Sequence, residues 1–157
     1  DRHRNCATAY APSGVRPGWW QPPANYPPDR APGGHHFRKM SKNYLSRNDE
    51  LLKGDYLMSN NGQWKAVFQG DGNFVIYGWQ PVWASDTCGS DSVRLIMQDD
   101  CNLVLYNKDN RARWASDTYN PGSHICRLQL SDDGKLRLFK DAQELWNSSQ
   151  SRGGKKY

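Results

Sequence analysis

At 157 residues the chain has room for one ordinary domain and an appendage, and none for two full enzyme domains. Only 36% of it is hydrophobic, and Trp, Tyr, Gly, Asn and Asp outweigh the aliphatic residues that build long helices, so short strands joined by tight turns are expected. The formal net charge is +5, and no run reaches the ~18 apolar residues of a membrane-spanning helix, so membrane insertion is not expected.

Residues 1–41 hold seven prolines, from Pro12 to Pro32, which exclude regular helix or central strand. The segment reads as an irregular basic arm, with six Lys or Arg against two acids. It also carries Tyr10, Trp19, Trp20 and Tyr26, more aromatic surface than a disordered linker. His35 and His36 have no Cys or acidic neighbours and suggest surface rather than a metal site. The four cysteines, even in number and without a CxxC pair, imply a disulfide framework and hence a secreted, extracellular protein with no signal-like segment left at its start.

From Lys42 onward the sequence repeats. Gln69-Gly-Asp71-Gly-Asn73-Phe-Val75-Ile-Tyr77 is followed by Gln98-Asp-Asp100-Cys-Asn102-Leu-Val104-Leu-Tyr106, identical at five alternate positions. Each leads to the same pentapeptide, Trp83-Ala-Ser-Asp-Thr87 and Trp114-Ala-Ser-Asp-Thr118. A weaker copy runs from Ser131 through Asp133, Lys135, Arg137 and Phe139 to Trp146. Successive tryptophans are 31 and 32 residues apart, the size of one supersecondary unit, so three units must share one core.

Alternation with period two marks a strand in each copy, with Phe74 and Ile76, Leu103 and Leu105, and Leu136 and Leu138 facing inward. The outward row of the first two copies then displays Gln, Asp, Asn, Val and Tyr along a ~14 Å strip. Amide donors, carbonyl-type acceptors and a carboxylate suit a vicinal diol, and Val offers an apolar patch for ring carbons. No nucleophile with a base beside it is present, so catalysis is not expected, and neither is a cofactor. Asp99, Asp100, Asp132 and Asp133 invite a two-carboxylate glycosidase reading, yet they fall on turns and in the diol-binding row. Asp71-Gly-Asn73 opens like a calcium loop but lacks an acid at the twelfth position.

The tripled Gln-x-Asp-x-Asn-x-Val-x-Tyr pattern resembles the bulb-type (B-type) mannose-binding lectins of monocot plants, a family also found in fish mucus. The likeness covers roughly residues 43 to 150, beginning near Leu51-Leu-Lys-Gly54. It implies an all-β fold, a β-prism of three four-stranded antiparallel subdomains with Trp83, Trp114 and Trp146 at the centre. The expected division is an arm over 1–41, a lectin domain over 42–151 and a basic tail over 152–157. By the resemblance, Asp71 and Asn73 would hold the axial 2-hydroxyl of mannose, Gln69 the 3-hydroxyl and Tyr77 the 4-hydroxyl, with Val75 against the ring. Gln98, Asp100, Asn102, Val104 and Tyr106 would form the second pocket, while the third copy departs at four of five positions and should bind no mannose. The resemblance also implies a Cys101–Cys126 disulfide; Cys6 and Cys88 are then expected to pair, or else to bridge two chains.

A hexose has about twelve heavy atoms, and ~0.3 kcal/mol each gives roughly 4 kcal/mol, near millimolar affinity. Useful binding of mannose-containing glycoproteins therefore implies several pockets at once and a homo-oligomer. Relatives commonly exchange C-terminal strands, for which Ser151 to Tyr157 is long enough, although Gly153-Gly154 makes a poor strand. The basic arm and tail suggest contact with acidic glycans, and nothing points to nucleic acid. Asn147-Ser-Ser149 is the single N-glycosylation sequon. Two functions are carried forward: a mannose-recognising lectin for defence or agglutination, and an assembly protein whose Cys-bearing arm links subunits.

Overall fold

The computed structural model describes residues 42–78, 80–122 and 124–156. The arm and the Cys6–Cys88 pairing expected above lie outside the described residues.

Thirteen strands, with no helix among the described residues, form three antiparallel sheets, one for each sequence copy. The first copy contributes β3 (Tyr56–Met58), β4 (Lys65–Phe68), β5 (Phe74–Tyr77) and β6 (Pro81–Ala84), a meander that is complete in itself. The second contributes β7 (Ser92–Met97), β8 (Leu103–Asn107) and β9 (Ala112–Ala115), flanked by β2 (Glu50–Leu52) and β13 (Gly154–Lys155). In the third, β10 (Cys126–Leu130), β11 (Leu136–Lys140) and β12 (Gln143–Asn147) are joined by β1 (Tyr44–Leu45). The chain is thus an all-β prism in which the two earliest strands close the sheets of the last two copies.

The inward rows fall where the alternation places them. Every sheet offers one leucine from its first strand (Leu57, Leu51 or Leu45), two apolar residues from each middle strand, with Cys126 as a third in β10, and one tryptophan from its last copy strand. Trp83, Trp114 and Trp146 meet edge to face around the pseudo-threefold axis, with ring centroids 6.0, 6.0 and 6.2 Å apart. Edge-to-face contact sets the positive rim of one ring against the negative face of the next. Trp64 fastens two sheets at the surface: its Nε1 donates to Asp132 O at 3.0 Å, and its ring leaves no room for a side chain at Gly78 or Gly134.

Two features depart from the sequence reading. The second sheet has five strands rather than four, because the C-terminal tail returns to pair Gly154 with Ala115 and Lys155 with Trp114. The glycines that looked unsuited to a strand are what permit this approach. A methyl group on Gly153 would come within 2.4 Å of Ala115 O and 2.6 Å of the Trp114 ring, and the residue has φ +68°. The tail in turn gives Trp114 Nε1 its acceptor, Arg152 O at 2.6 Å, whereas the buried Nε1 atoms of Trp83 and Trp146 have none among the described residues.

The Cys101–Cys126 disulfide implied by the resemblance is present and ties the second motif to β10. Cys101 sits at φ +66°, in the turn position held by Gly72 and Gly134 in the other copies.

Candidate carbohydrate-binding site

Each outward row begins in a hairpin turn and not in a strand. Gln69 N donates to Asn73 O at 2.9 Å and Gly72 N to Gln69 O at 3.1 Å, so the polyamide part of the motif folds back on itself before β5 starts. The expected extended strip is therefore a compact cluster. Tyr77 Oη donates to Gln69 Oε1 across eight residues, and Gln69 Nε2 donates to both Asp71 oxygens at 3.0 Å. Asp71 Oδ1 also accepts from Asn73 N at 3.0 Å, an Asx turn that aims the carboxylate.

The second copy reproduces this bond for bond. Gln98 Nε2 reaches the Asp100 oxygens at 3.0 and 3.1 Å, Asn102 N reaches Asp100 Oδ1 at 2.9 Å, and Tyr106 donates to Gln98. Burial, reinforced by the Asp100 carboxylate, pushes the Tyr106 phenol above its ordinary value, so it keeps its proton at neutral pH. Arg94 lies over the Tyr106 ring at 5.7 Å.

Four residues that the sequence reading passed over hold the asparagines. Asn73 Oδ1 accepts from Thr87 N at 3.1 Å and Ser85 Oγ at 3.2 Å, while Thr87 Oγ1 donates to Gly72 O at 2.6 Å. Asn102 Oδ1 likewise accepts from Thr118 N at 3.2 Å and Ser116 Oγ at 3.4 Å, with Thr118 Oγ1 on Cys101 O at 2.6 Å. The signal was the repeated Trp-Ala-Ser-Asp-Thr itself, whose Ser and Thr recur for this purpose. With its oxygen committed, Asn102 has only its Nδ2 left to offer an outside group. Asn102 Nδ2 has no partner among the described residues, and Asp100 Oδ2 retains acceptor capacity beside it.

The two sets differ in access. The second is open, with Gln98, Asp100, Asn102 and Tyr106 all part-exposed and Val104 at its floor. The first is not: Gln69, Asn73, Val75 and Tyr77 are 0–1% exposed and Asp71 alone is part-exposed. The two rows, identical in sequence, are therefore not equally exposed.

The third row is occupied by its own side chains. Arg137 bonds Asp133 at 2.8 Å, Glu144 at 2.9 Å and Ser131 Oγ at 3.2 Å. Those hydrogen bonds hold Glu144 below the usual carboxylate range; burial works to raise Asp133, but Ser131 and Arg137 outweigh it and leave that group lowered as well. Ser148 keeps the scaffold role, its Oγ accepting from Leu136 N at 3.1 Å. Asn147 of the sequon is buried, its amide donating to Glu144 at 3.2 Å.

The B-type lectin plumieribetin of Scorpaena plumieri is 61% identical to this chain over 113 residues, which are 72% of the chain and the whole of that protein. The chain belongs to the B-type lectin family. As a lectin it binds carbohydrate and is not an enzyme. Mannose-specific lectin 1 of Colocasia esculenta is 38% identical over 86 residues, 54% of this lectin and 30% of that protein, so the chain spans about a third of that plant relative. Among solved structures, the mannose-specific agglutinin of snowdrop (Galanthus nivalis) bulbs, complexed with methyl-α-D-mannoside, superposes with a TM-score of 0.58 at 33% identity, over 62% of this lectin and 89% of that chain. No protein-family model matches the chain.

Proposed function

We propose that this lectin recognises mannose and high-mannose glycans through two sets of residues, Gln98, Asp100, Asn102, Val104 and Tyr106, and Gln69, Asp71, Asn73, Val75 and Tyr77. The observation that carries the reading is the open second cluster: an asparagine amide with its oxygen pinned and its Nδ2 turned outward, beside a carboxylate held by Gln98. An acceptor and a donor fixed side by side match the two hydroxyls of a diol. An axial 2-hydroxyl would distinguish mannose from glucose, and Val104 supplies the apolar floor. Similarity to a lectin solved with methyl-α-D-mannoside supports this choice of sugar.

Rigid, pre-bonded side chains lose little freedom on binding, but the ligand is small, so one site should hold a monosaccharide at roughly millimolar strength. Agglutination, and a secreted defensive role with it, then requires oligomers or several sites on one chain. At the tail, Arg152 pairs with Asp86 at 2.7 Å and Lys156 with Asp117 at 2.6 Å, which offsets most of the charge an acidic glycan would seek there.

Titration of the full chain with methyl-α-mannoside tests the reading. Asn102→Ala should weaken binding at the second site at least tenfold while leaving the circular dichroism spectrum unchanged. Equal binding by wild type and this variant would remove the assignment.

A further inference from the structure

The two sugar motifs differ at one position just outside them. Each is followed by Trp-Ala-Ser-Asp-Thr, and the residue after that pentapeptide is Cys88 in the first copy and Tyr119 in the second. The backbone around both positions is the same. Asp86 and Asp117 each have φ +59°. Thr87 Oγ1 donates at 2.6 Å to Gly72 O, as Thr118 Oγ1 does to Cys101 O. Gly89 N donates at 2.7 Å to Asp71 O, as Asn120 N does to Asp100 O. A side chain at this position therefore starts beside the carboxylate of the motif, and in the first copy Cys88 Sγ lies 3.5 Å from Asp71 Oδ2. Tyr119 starts from the same place beside Asp100.

Tyr119 is 65% exposed, the one exposed aromatic residue among those described, and its side chain makes no hydrogen bond or ring contact with them. Single apolar residues on a surface are ordinary. What sets this one apart is how firmly its backbone is tied to the site. On one side Thr118 N donates to Asn102 Oδ1 at 3.2 Å, and on the other Asn120 Nδ2 donates to Thr118 O at 3.0 Å while Asn120 Oδ1 accepts from Lys140 Nζ at 3.3 Å. The Cys101–Cys126 disulfide fastens the far end of the same loop to the motif. A ring on so fixed a backbone has only two side-chain torsions left to lose on binding, which keeps the cost of using it low.

The Tyr119 loop meets the motif at its turn, through Asp100 O and Cys101 O, whereas Val104 lies further along, on β8. Asp100 and Asn102 thus stand between Val104 and Tyr119. A hexose that lies on Val104 with its 2-hydroxyl at Asp100 has C1, the carbon of the glycosidic bond, next to that hydroxyl. The adjoining residue of a glycan then leaves the pocket on the Tyr119 side.

We propose that Tyr119 is the wall of an added subsite, where its ring packs against the sugar residue glycosidically linked to the one held by Gln98, Asp100 and Asn102, so that the second site prefers a mannose disaccharide to the monosaccharide. The apolar C–H face of a hexose is a surface that an aromatic face covers well, with water excluded from both. The first copy offers no ring at this position, because Cys88 stands there. The inference rests on the sugar-binding reading of the second cluster.

The test is calorimetric titration of the full chain with methyl-α-mannoside and with the methyl glycosides of α1→2-, α1→3- and α1→6-linked mannobiose. Wild type should bind the best of these disaccharides at least ~fivefold more tightly than methyl-α-mannoside, a difference of about 1 kcal/mol. Tyr119→Ala should abolish that advantage, apart from the statistical factor for a ligand with a pair of mannose residues, and leave both the methyl-α-mannoside affinity and the circular dichroism spectrum unchanged. Tyr119→Phe should keep the advantage, and in an Asn102→Ala background Tyr119→Ala should have no further effect. A Tyr119→Ala chain that keeps the full disaccharide advantage, or that loses monosaccharide and disaccharide affinity alike, overturns the subsite. Wild type without any disaccharide advantage overturns it too, as does a variant altered only in sedimentation, which assigns Tyr119 to contact between copies of the chain. Methyl-α-mannoside binding that survives Asn102→Ala intact is a different failure: it removes the sugar-binding reading of the second cluster, and the subsite with it.

Discussion

At the scale of single residues, the sites are built by committing hydrogen-bond capacity in advance. Ser85, Thr87, Ser116 and Thr118 touch no inferred ligand position, yet they fix the orientation of each asparagine amide. Cys101 shows a second kind of local requirement. Its φ of +66° belongs to the left-handed region, where a side chain costs about 1–2 kcal/mol and glycine almost nothing. With Cys126→Ala removing the disulfide in both proteins, Cys101→Gly should therefore be more stable than Cys101→Ala by about 1 kcal/mol in urea denaturation. Equal midpoints would mean that the turn moves to a negative φ once the sulfur bridge is gone.

At the scale of elements, the tail strand β13 is the part of the fold least legible in the sequence. Nothing in Ser151-Arg-Gly-Gly alternates, and glycine argues against a strand on propensity alone. The decisive fact is distal: the Trp114 ring and Ala115 O approach so closely that only a residue without Cβ passes. Gly153→Ala should detach Arg152 to Lys156 and strip Trp114 Nε1 of its acceptor, a loss of about 1–3 kcal/mol for an orphaned buried donor. Chemical denaturation of the variant would measure it, and a free energy within error of wild type would show that the tail bond contributes nothing. The core strands, by contrast, were readable because their inward residues repeat at period two in all three copies. The hairpin folding of Gln69 to Asn73 was not, since a periodic row of polar residues looks the same in a strand and in a turn followed by a strand.

At the scale of the whole molecule, the three sheets depend on one cluster of indoles. Trp146 contacts both Trp83 and Trp114, so its removal opens a cavity that belongs to every sheet at once. Trp146→Ala should cost about 3–5 kcal/mol and leave a single unfolding transition. Amide exchange at Ala66 and Ile76, in the opposite sheet, should accelerate along with that at Leu128. Acceleration confined to β10 to β12 would instead mean that the copies are separable units. Three units sharing one core and two similar motifs were legible in the repeat, and the prism was implied by the resemblance, whereas the deep burial of the first motif beside the open second one was not, since rows of identical residues look alike in sequence. The threading of the strands sets an order of assembly. Residues 56 to 84 complete a sheet from neighbouring segments, while Leu45 must find Leu128, roughly eighty residues later. A nascent chain can therefore zip its first sheet early, but β1 must wait for β10 to leave the ribosome, and until then Leu45 stays without its partner strand.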